Sequence, residues 1–236
     1  MLLFRRLKEF WKNKDLKMST RIITIDGPAG AGKTTVSKLL SQKLGCIYVD
    51  TGALYRGVAL EIQRQDIDWE DDKVLEGFLK GLDLNFVRQK DSFILTSSGK
   101  NITQYIRTPE ISMLASSSSA KPQIRAALLD IQRSIAKTKD AVFEGRDMGT
   151  VVFPEAAVKF FLFADLSVRA KRRFDEMPGE AKDINSVQKQ MKIRDDNDSQ
   201  RNSAPLKPAD DAIEIDASFL SVEQVVGKML GIIEEA

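Results

Sequence analysis

"GPAGAGKT", residues Gly27 to Thr34, decides the fold. Its spacing is G-x-x-x-x-G-K-T. The apolar run "RIITI" (21–25) precedes it, and Val36, Leu39, Leu40 and Leu44 follow at helical spacing, with Gly45 where that helix should stop. Strand, glycine-rich turn and helix in that order make a phosphate cradle. The glycines let the backbone wrap an anion, and N–H groups at the helix N-terminus face it along the favourable end of the dipole. A glycine-rich turn that merely starts a helix would also fit the spacing; the flanking strand and helix are what favour a nucleotide. Gly27, Pro28, Ala29, Gly30, Ala31, Gly32, Lys33, Thr34 and Thr35 are therefore expected to hold the phosphates of a nucleotide. Lys33 would reach the β- and γ-phosphates, and the Thr34 hydroxyl would ligate Mg2+.

Outward from that loop, strands and helices alternate, which predicts an α/β fold with a parallel sheet wound with helices. "CIYV" reads as the second strand. Leu54, Val58 and Ile62 stripe a helix, and Val74, Leu75, Phe78 and Leu79 a shorter one. Residues 82–106 change idiom: "LDLNFV", "SFILTS" and "KNITQYI" predict three short antiparallel strands, an insertion at one edge of the sheet. Thr108-Pro109 opens the next helix with a hydroxyl cap and a proline just inside. Another begins at Pro122 and carries Ile124, Leu128, Ile131 and Ile135. "AVFE" and "VKFFLFA" are core strands. Residues 168–203 are strongly charged with little apolar periodicity, and predict a solvated, mobile flap. "AIEID" returns to strand, and Ser221 with Gln224 makes a capping box for a last helix burying Val222, Val225, Val226, Met229 and Leu230.

Composition narrows the chemistry. The 236 residues are 42% hydrophobic and 30% charged, enough for one domain with a real core. A lone cysteine, Cys46, excludes an internal disulfide, and no stretch has transmembrane length. There is no histidine, so any reaction must run on carboxylates, lysine, arginine and hydroxyls. Residues 1–20 carry six basic against two acidic side chains, while the chain as a whole is only +2. This basic extension reads either as an amphipathic helix for an anionic surface or as a loosely held segment upstream of a start at Met18. The second is favoured because terminal segments are usually loosely held.

The arginines point beyond ATP hydrolysis. Arg56 lies just after the second strand, and Arg146 ends the strand "AVFEGR". In a sheet of this kind the strands' carboxyl ends face one crevice. Guanidinium forks there would suit a second phosphate-bearing ligand. "IRDDNDSQR" (193–201) would form a lid over the transferring group, with Arg194 and Arg201 stabilising its charge. A phosphate acceptor needs no general base, because its attacking oxygen is already largely ionised, and this fits the absence of histidine. No N-K-x-D guanine-reading motif follows the loop, which argues against a switch GTPase.

"ITIDGPAGAGKTT", "DTGALYR", "EGRDMGTVVFP" and "RDDNDSQRNSAPLKPADDA" resemble, in that order, the signature segments of bacterial cytidylate (CMP/dCMP) kinases. The resemblance runs from about Arg21 to the end. It implies a P-loop kinase using ATP and Mg2+ on CMP or dCMP, with a monophosphate-binding insertion at about 52–125 and a lid at about 170–203 in one kinase domain, 21–236. It also implies Thr51, Arg56, Ser116, Arg125, Arg146, Asp147 and Asp198 as CMP-binding residues. Ser116 and Arg125 would read cytosine, Arg146 would hold the phosphate, and Asp147 and Asp198 would face the sugar. Lys33, Arg146, Arg194 and Arg201 would be catalytic, and Glu144 would place Mg2+ through water. One departure is Ala29, where several relatives have serine. The resemblance further implies a cytoplasmic monomer acting on small molecules, with no nucleic-acid partner and no stable membrane association. Two alternatives stay open on the residues alone: another small-molecule P-loop kinase, or a nucleotide-dependent binding module.

Overall fold

The structure is a computed structural model describing residues 20–89, 92–137, 139–176 and 183–235. The basic extension, apart from Thr20, lies outside the described residues. β1 (Ile22–Asp26) is buried along its whole length and feeds the loop that ends at α1 (Lys33–Leu44). Val36 and Leu40 on α1 are buried, Leu39 and Leu44 are partly so, and the helix ends at Gly45. β2 (Ile47–Asp50) runs straight into α2 (Thr51–Arg64), which Asp50 caps by accepting from the Ala53 N–H at 3.1 Å. Leu54, Val58 and Ile62 form its buried stripe. α3 (Asp72–Lys80) buries only Leu75, and Val74 is largely exposed.

The insertion is the antiparallel sheet β3 (Leu84–Gln89), β4 (Ser92–Ser97) and β5 (Lys100–Asn101). The third strand is shorter than the sequence predicts. "KNITQYI" pairs only through Lys100 and Asn101, because Asn101 Oδ1 accepts from the Thr103 N–H at 2.9 Å and turns the chain; Ile102 and Ile106 are then buried from that turn rather than from a strand. α4 (Pro109–Ser118) is capped by Thr108 Oγ1, which accepts from the Ile111 N–H, and α5 (Pro122–Ala136) buries Ile124 and Leu128.

β6 (Ala141–Glu144) leads to a π-helical turn, Met148–Val152, and then β7 (Val158–Phe163). Five parallel strands in the order β2-β6-β1-β7, with β8 (Ile213–Asp216) last, complete the main sheet. Its register sets Asp50 opposite Glu144, and Glu144 opposite Ile25. Three carboxylates, Asp26, Asp50 and Glu144, therefore share one edge. On one face, α1 and α8 (Val222–Glu235) enclose Ile23, Ile25, Leu40, Val226 and Met229. Full burial of each such side chain is worth about 1.5–3 kcal/mol. Ser221 and Gln224 cap α8 reciprocally: Gln224 N–H donates to Ser221 Oγ at 3.2 Å and Ser221 N–H to Gln224 Oε1 at 2.8 Å.

The charged region departs from expectation. It is solvated for most of its length but helical rather than irregular, forming α6 (Leu166–Glu176) and α7 (Ile184–Gln200), the latter burying only Val187, Met191 and Asp198; residues 177–182 lie outside the described residues. Ala170, Val187 and Met191 form a small core against Ala29 of the phosphate loop. Hydrophobic periodicity misses these helices because part of what they bury is charged. Arg169 is buried and donates to Ala164 O (2.8 Å), Ala29 O (3.0 Å) and Asp195 Oδ2 (2.6 Å).

Candidate active site

The loop from Gly27 to Gly32 takes its shape from tertiary contact as much as from local freedom. A Cβ on Gly27 would lie 1.9 Å from the Leu162 carbonyl oxygen of β7, at a φ of 145° that other residues rarely adopt. Gly32, at φ 92°, turns the chain into the first turn of α1. Lys33 folds back and donates from Nζ to Pro28 O at 2.7 Å. Burial lowers its pKa well below the usual lysine range, and the nearby Arg146 lowers it further.

A cleft of about 790 Å³ runs from this loop across the carboxyl edge of the sheet. Among the residues singled out in the sequence, Ala29 to Thr35, Thr51, Arg56, Ser116, Arg125, Glu144, Arg146, Asp147, Arg194, Asp198 and Arg201 all line it. Gly27 and Pro28 stand behind its wall, the first against β7, the second holding Lys33. Arg146 lowers the proton affinity of both Lys33 and Arg194, and Arg194 lowers that of Lys33 as well. Arg194 is pushed down to about 10, first by burial and then by Arg146, and so stays charged at neutral pH.

The arginines on the far side are fixed by carboxylates. Arg56 pairs with Asp50 at 2.8 Å, and Arg125 with Asp147 over the ring of Tyr55. Arg146 Nε donates to Asp198 Oδ2 at 2.9 Å, and Arg201 Nη2 stands 3.8 Å from Asp147 Oδ1. Burial opposes the charge on Asp198, but Arg146, Arg194 and Arg201 outweigh it and hold its pKa below the usual carboxylate range. Asp147 goes the other way: burial raises it despite Arg125 and Arg201. Four guanidinium nitrogens on these cleft residues are nonetheless buried without a hydrogen-bond partner: Arg56 Nε, Arg125 Nη1, Arg194 Nε and Arg201 Nη2. Buried donors are nearly always satisfied in folded proteins. Four unsatisfied cationic donors around one cleft fit an anionic ligand with several oxygen acceptors.

Beside Lys33, Thr34 Oγ1 donates to Glu144 Oε1 and the Tyr48 hydroxyl to Glu144 Oε2, each at 2.7 Å. Burial raises the Glu144 pKa, and Asp50 across the strand pair raises it further. A hydroxyl against a carboxylate suits a hard divalent cation that keeps most of its waters and leans on phosphate oxygens. Among the described residues no cluster of three or more His, Cys, Asp or Glu could form an all-protein metal cage, and this donor set does not need one.

Two participants escaped the sequence reading. Asp26 is buried, accepts from the Met148 and Gly149 N–H groups at 2.9 and 2.8 Å, and so ties the π turn that follows Arg146 and Asp147 to the root of the phosphate loop. Burial raises its pKa to about 6. Tyr48 was read only as part of a strand. Asp26 sits one residue before Gly27, a position that could have flagged it, but its partners are backbone groups far along the chain and leave no trace in the pattern.

Comparison with known proteins gives this cleft a family. A cytidylate kinase from Geobacter sulfurreducens is 44% identical over 216 residues, covering 91% of this chain and 93% of that protein. One from Fervidobacterium nodosum is 45% identical over 215 residues, covering 90% and 96%. An uncharacterized protein from Eubacterium ventriosum shares the fold, with a TM-score of 0.51 at 15% identity, covering 92% of this chain and 99% of that one. The family described as cytidylate kinase matches residues 23–235, nearly the whole described structure. The chain belongs to the cytidylate kinase family.

Proposed function

We propose that this protein transfers the γ-phosphoryl group of ATP to CMP or dCMP, giving ADP and CDP or dCDP. Family membership supports the reaction. The observation that carries the site is the set of four unsatisfied guanidinium nitrogens around the cleft beside the phosphate loop, which fits an anionic acceptor bound next to the donor.

In this reading the loop residues Gly27 to Thr35 hold the donor, and Lys33 leaves Pro28 O to meet the β- and γ-phosphates. Arg146 and Arg56 bind the acceptor phosphate. Ser116 and Arg125 read the base, with Thr51 at the base edge, while Asp147 and Asp198 face the sugar. Arg194 and Arg201, on or just after α7, bring positive charge to the transferring group; positioned arginines of this kind are worth roughly 10³–10⁵ in rate. Mg2+ would be held by Thr34, with Glu144 reaching it through water, and would neutralise charge on the donor phosphates. The acceptor phosphate arrives ionised, so the side chains orient and stabilise but need not remove a proton. Residues 21–236 act as one kinase domain in which about 52–125 receives the acceptor and about 170–203 closes over it. The enzyme works as a cytoplasmic monomer. Among the described residues no helix is long and apolar enough to cross a membrane.

The test is release of ADP with CMP, dCMP, UMP and AMP in turn, with and without Mg2+. We expect turnover with the cytidine nucleotides and only with Mg2+. Equal or better use of AMP would sink the assignment.

A further inference from the structure

Ser116 and Ser119 lie one turn apart at the end of α4, and each meets a residue of the lid. Ser116 Oγ donates to Asp198 Oδ1 at 3.0 Å, and Arg201 Nη1 donates to Ser119 Oγ at 3.1 Å. The spacing of three is the same on both sides, so the helix end and the lid match in register. Ser116 already has a part in holding the acceptor; Ser119 has none. Its hydroxyl proton goes to the Ser116 carbonyl at 2.8 Å, which leaves its lone pairs free to accept from the guanidinium.

Arg201 is held on its other side too, because Nε donates to Ala204 O at 2.7 Å. A guanidinium is planar, so two anchored nitrogens fix the direction of the third. That third nitrogen, Nη2, is buried and has no hydrogen-bond partner. A serine that only closed its own helix would make the bond to Ser116 O and leave the arginine unheld. Ser119 and Arg201 are 5% and 8% exposed, so water does not substitute freely for either contact.

We propose that Ser119 is a positioning residue that aims Arg201 Nη2, which stands 3.8 Å from Asp147 Oδ1, at the acceptor nucleotide, so that Arg201 sets acceptor affinity in addition to the charge it brings to the transferring group. The proposal rests on the reading of this cleft as a CMP kinase site. Losing the hydroxyl leaves Arg201 with one anchor, and the acceptor must then order the guanidinium itself.

The experiment measures KM separately for CMP and ATP in wild type, Ser119→Ala, Arg201→Ala and the double variant, together with Tm. Ser119→Ala should raise KM for CMP about tenfold, the scale of one hydrogen bond to a charged group, and leave KM for ATP unchanged. In the Arg201→Ala background the serine change should add nothing to KM for CMP. An unchanged KM for CMP with a lowered Tm would make Ser119 merely structural and overturn the proposal. So would a full additive effect in the double variant. A wild type that does not turn over CMP would remove the functional reading itself, whereas a CMP-using wild type with an unaffected variant removes only this inference.

Discussion

In the proposed reading, the donor half of the cleft comes from one contiguous stretch, Gly27 to Thr35, running from the end of one strand into the first turn of one helix. The acceptor half draws Arg56 from α2, Ser116 from α4, Arg125 from α5, Arg146 and Asp147 from the turn after β6, and Asp198 from α7. On the proposed roles, the donor side would recognise phosphate with glycine-rich backbone, whereas the acceptor side would use guanidinium groups held by carboxylates. A polyphosphate is common to every nucleoside triphosphate, so a local backbone motif suffices for it. Reading a particular base and sugar takes side chains placed from several directions, and only the tertiary fold brings those together.

The sharpest way to break this contrast is to remove one residue from each half. Lys33→Met should lower kcat with every acceptor by on the order of 10³, as expected for losing a positioned charge at the transferring group; steady-state turnover checks this. Arg125→Ala should instead raise KM for CMP by on the order of 10², since it removes the charged donor proposed to read the base, with KM for ATP unchanged. If Arg125→Ala weakened both substrates equally, the two halves would not be separate.

Asp26 joins the halves, and its titration sharpens the comparison. Its folded pKa of about 6 lies above the ordinary value of 3.8, mainly through burial. The folded protein therefore keeps this proton to higher pH than the unfolded chain. Stability from this group is present below the ordinary carboxylate range and is lost as pH rises through about 6. Relative to Asp26→Asn, which cannot ionise, the wild type should lose roughly 2 kcal/mol between pH 4 and 7. Unfolding of both proteins across that range measures it; parallel curves would refute it. The smallest effect belongs outside both halves. Ser221→Ala removes one side of the α8 capping box and should cost about 1 kcal/mol, a fall in Tm of about 2–4 °C, with both KM values untouched.

Legibility in the sequence followed the same division. The phosphate loop, the Thr108-Pro109 helix start and the Ser221–Gln224 box were readable because each is a local arrangement with a local cause. The arginines could be suspected from their places at strand ends, and a family resemblance gave them roles. The helices α6 and α7 were not readable as helices, because Arg169 and Asp198 are buried in ion pairs rather than as apolar residues. Asp26 and Ser119 were passed over for a related reason: their partners lie far away along the chain.

The approach of Gly27 to the Leu162 carbonyl has a further consequence. The phosphate loop is commonly pictured as a portable cassette, a short string that carries its function wherever it is placed. Here its first residue is half of a joint, and β7 supplies the other half. Transplanted without that strand, the same eight letters would keep their spelling and lose their footing.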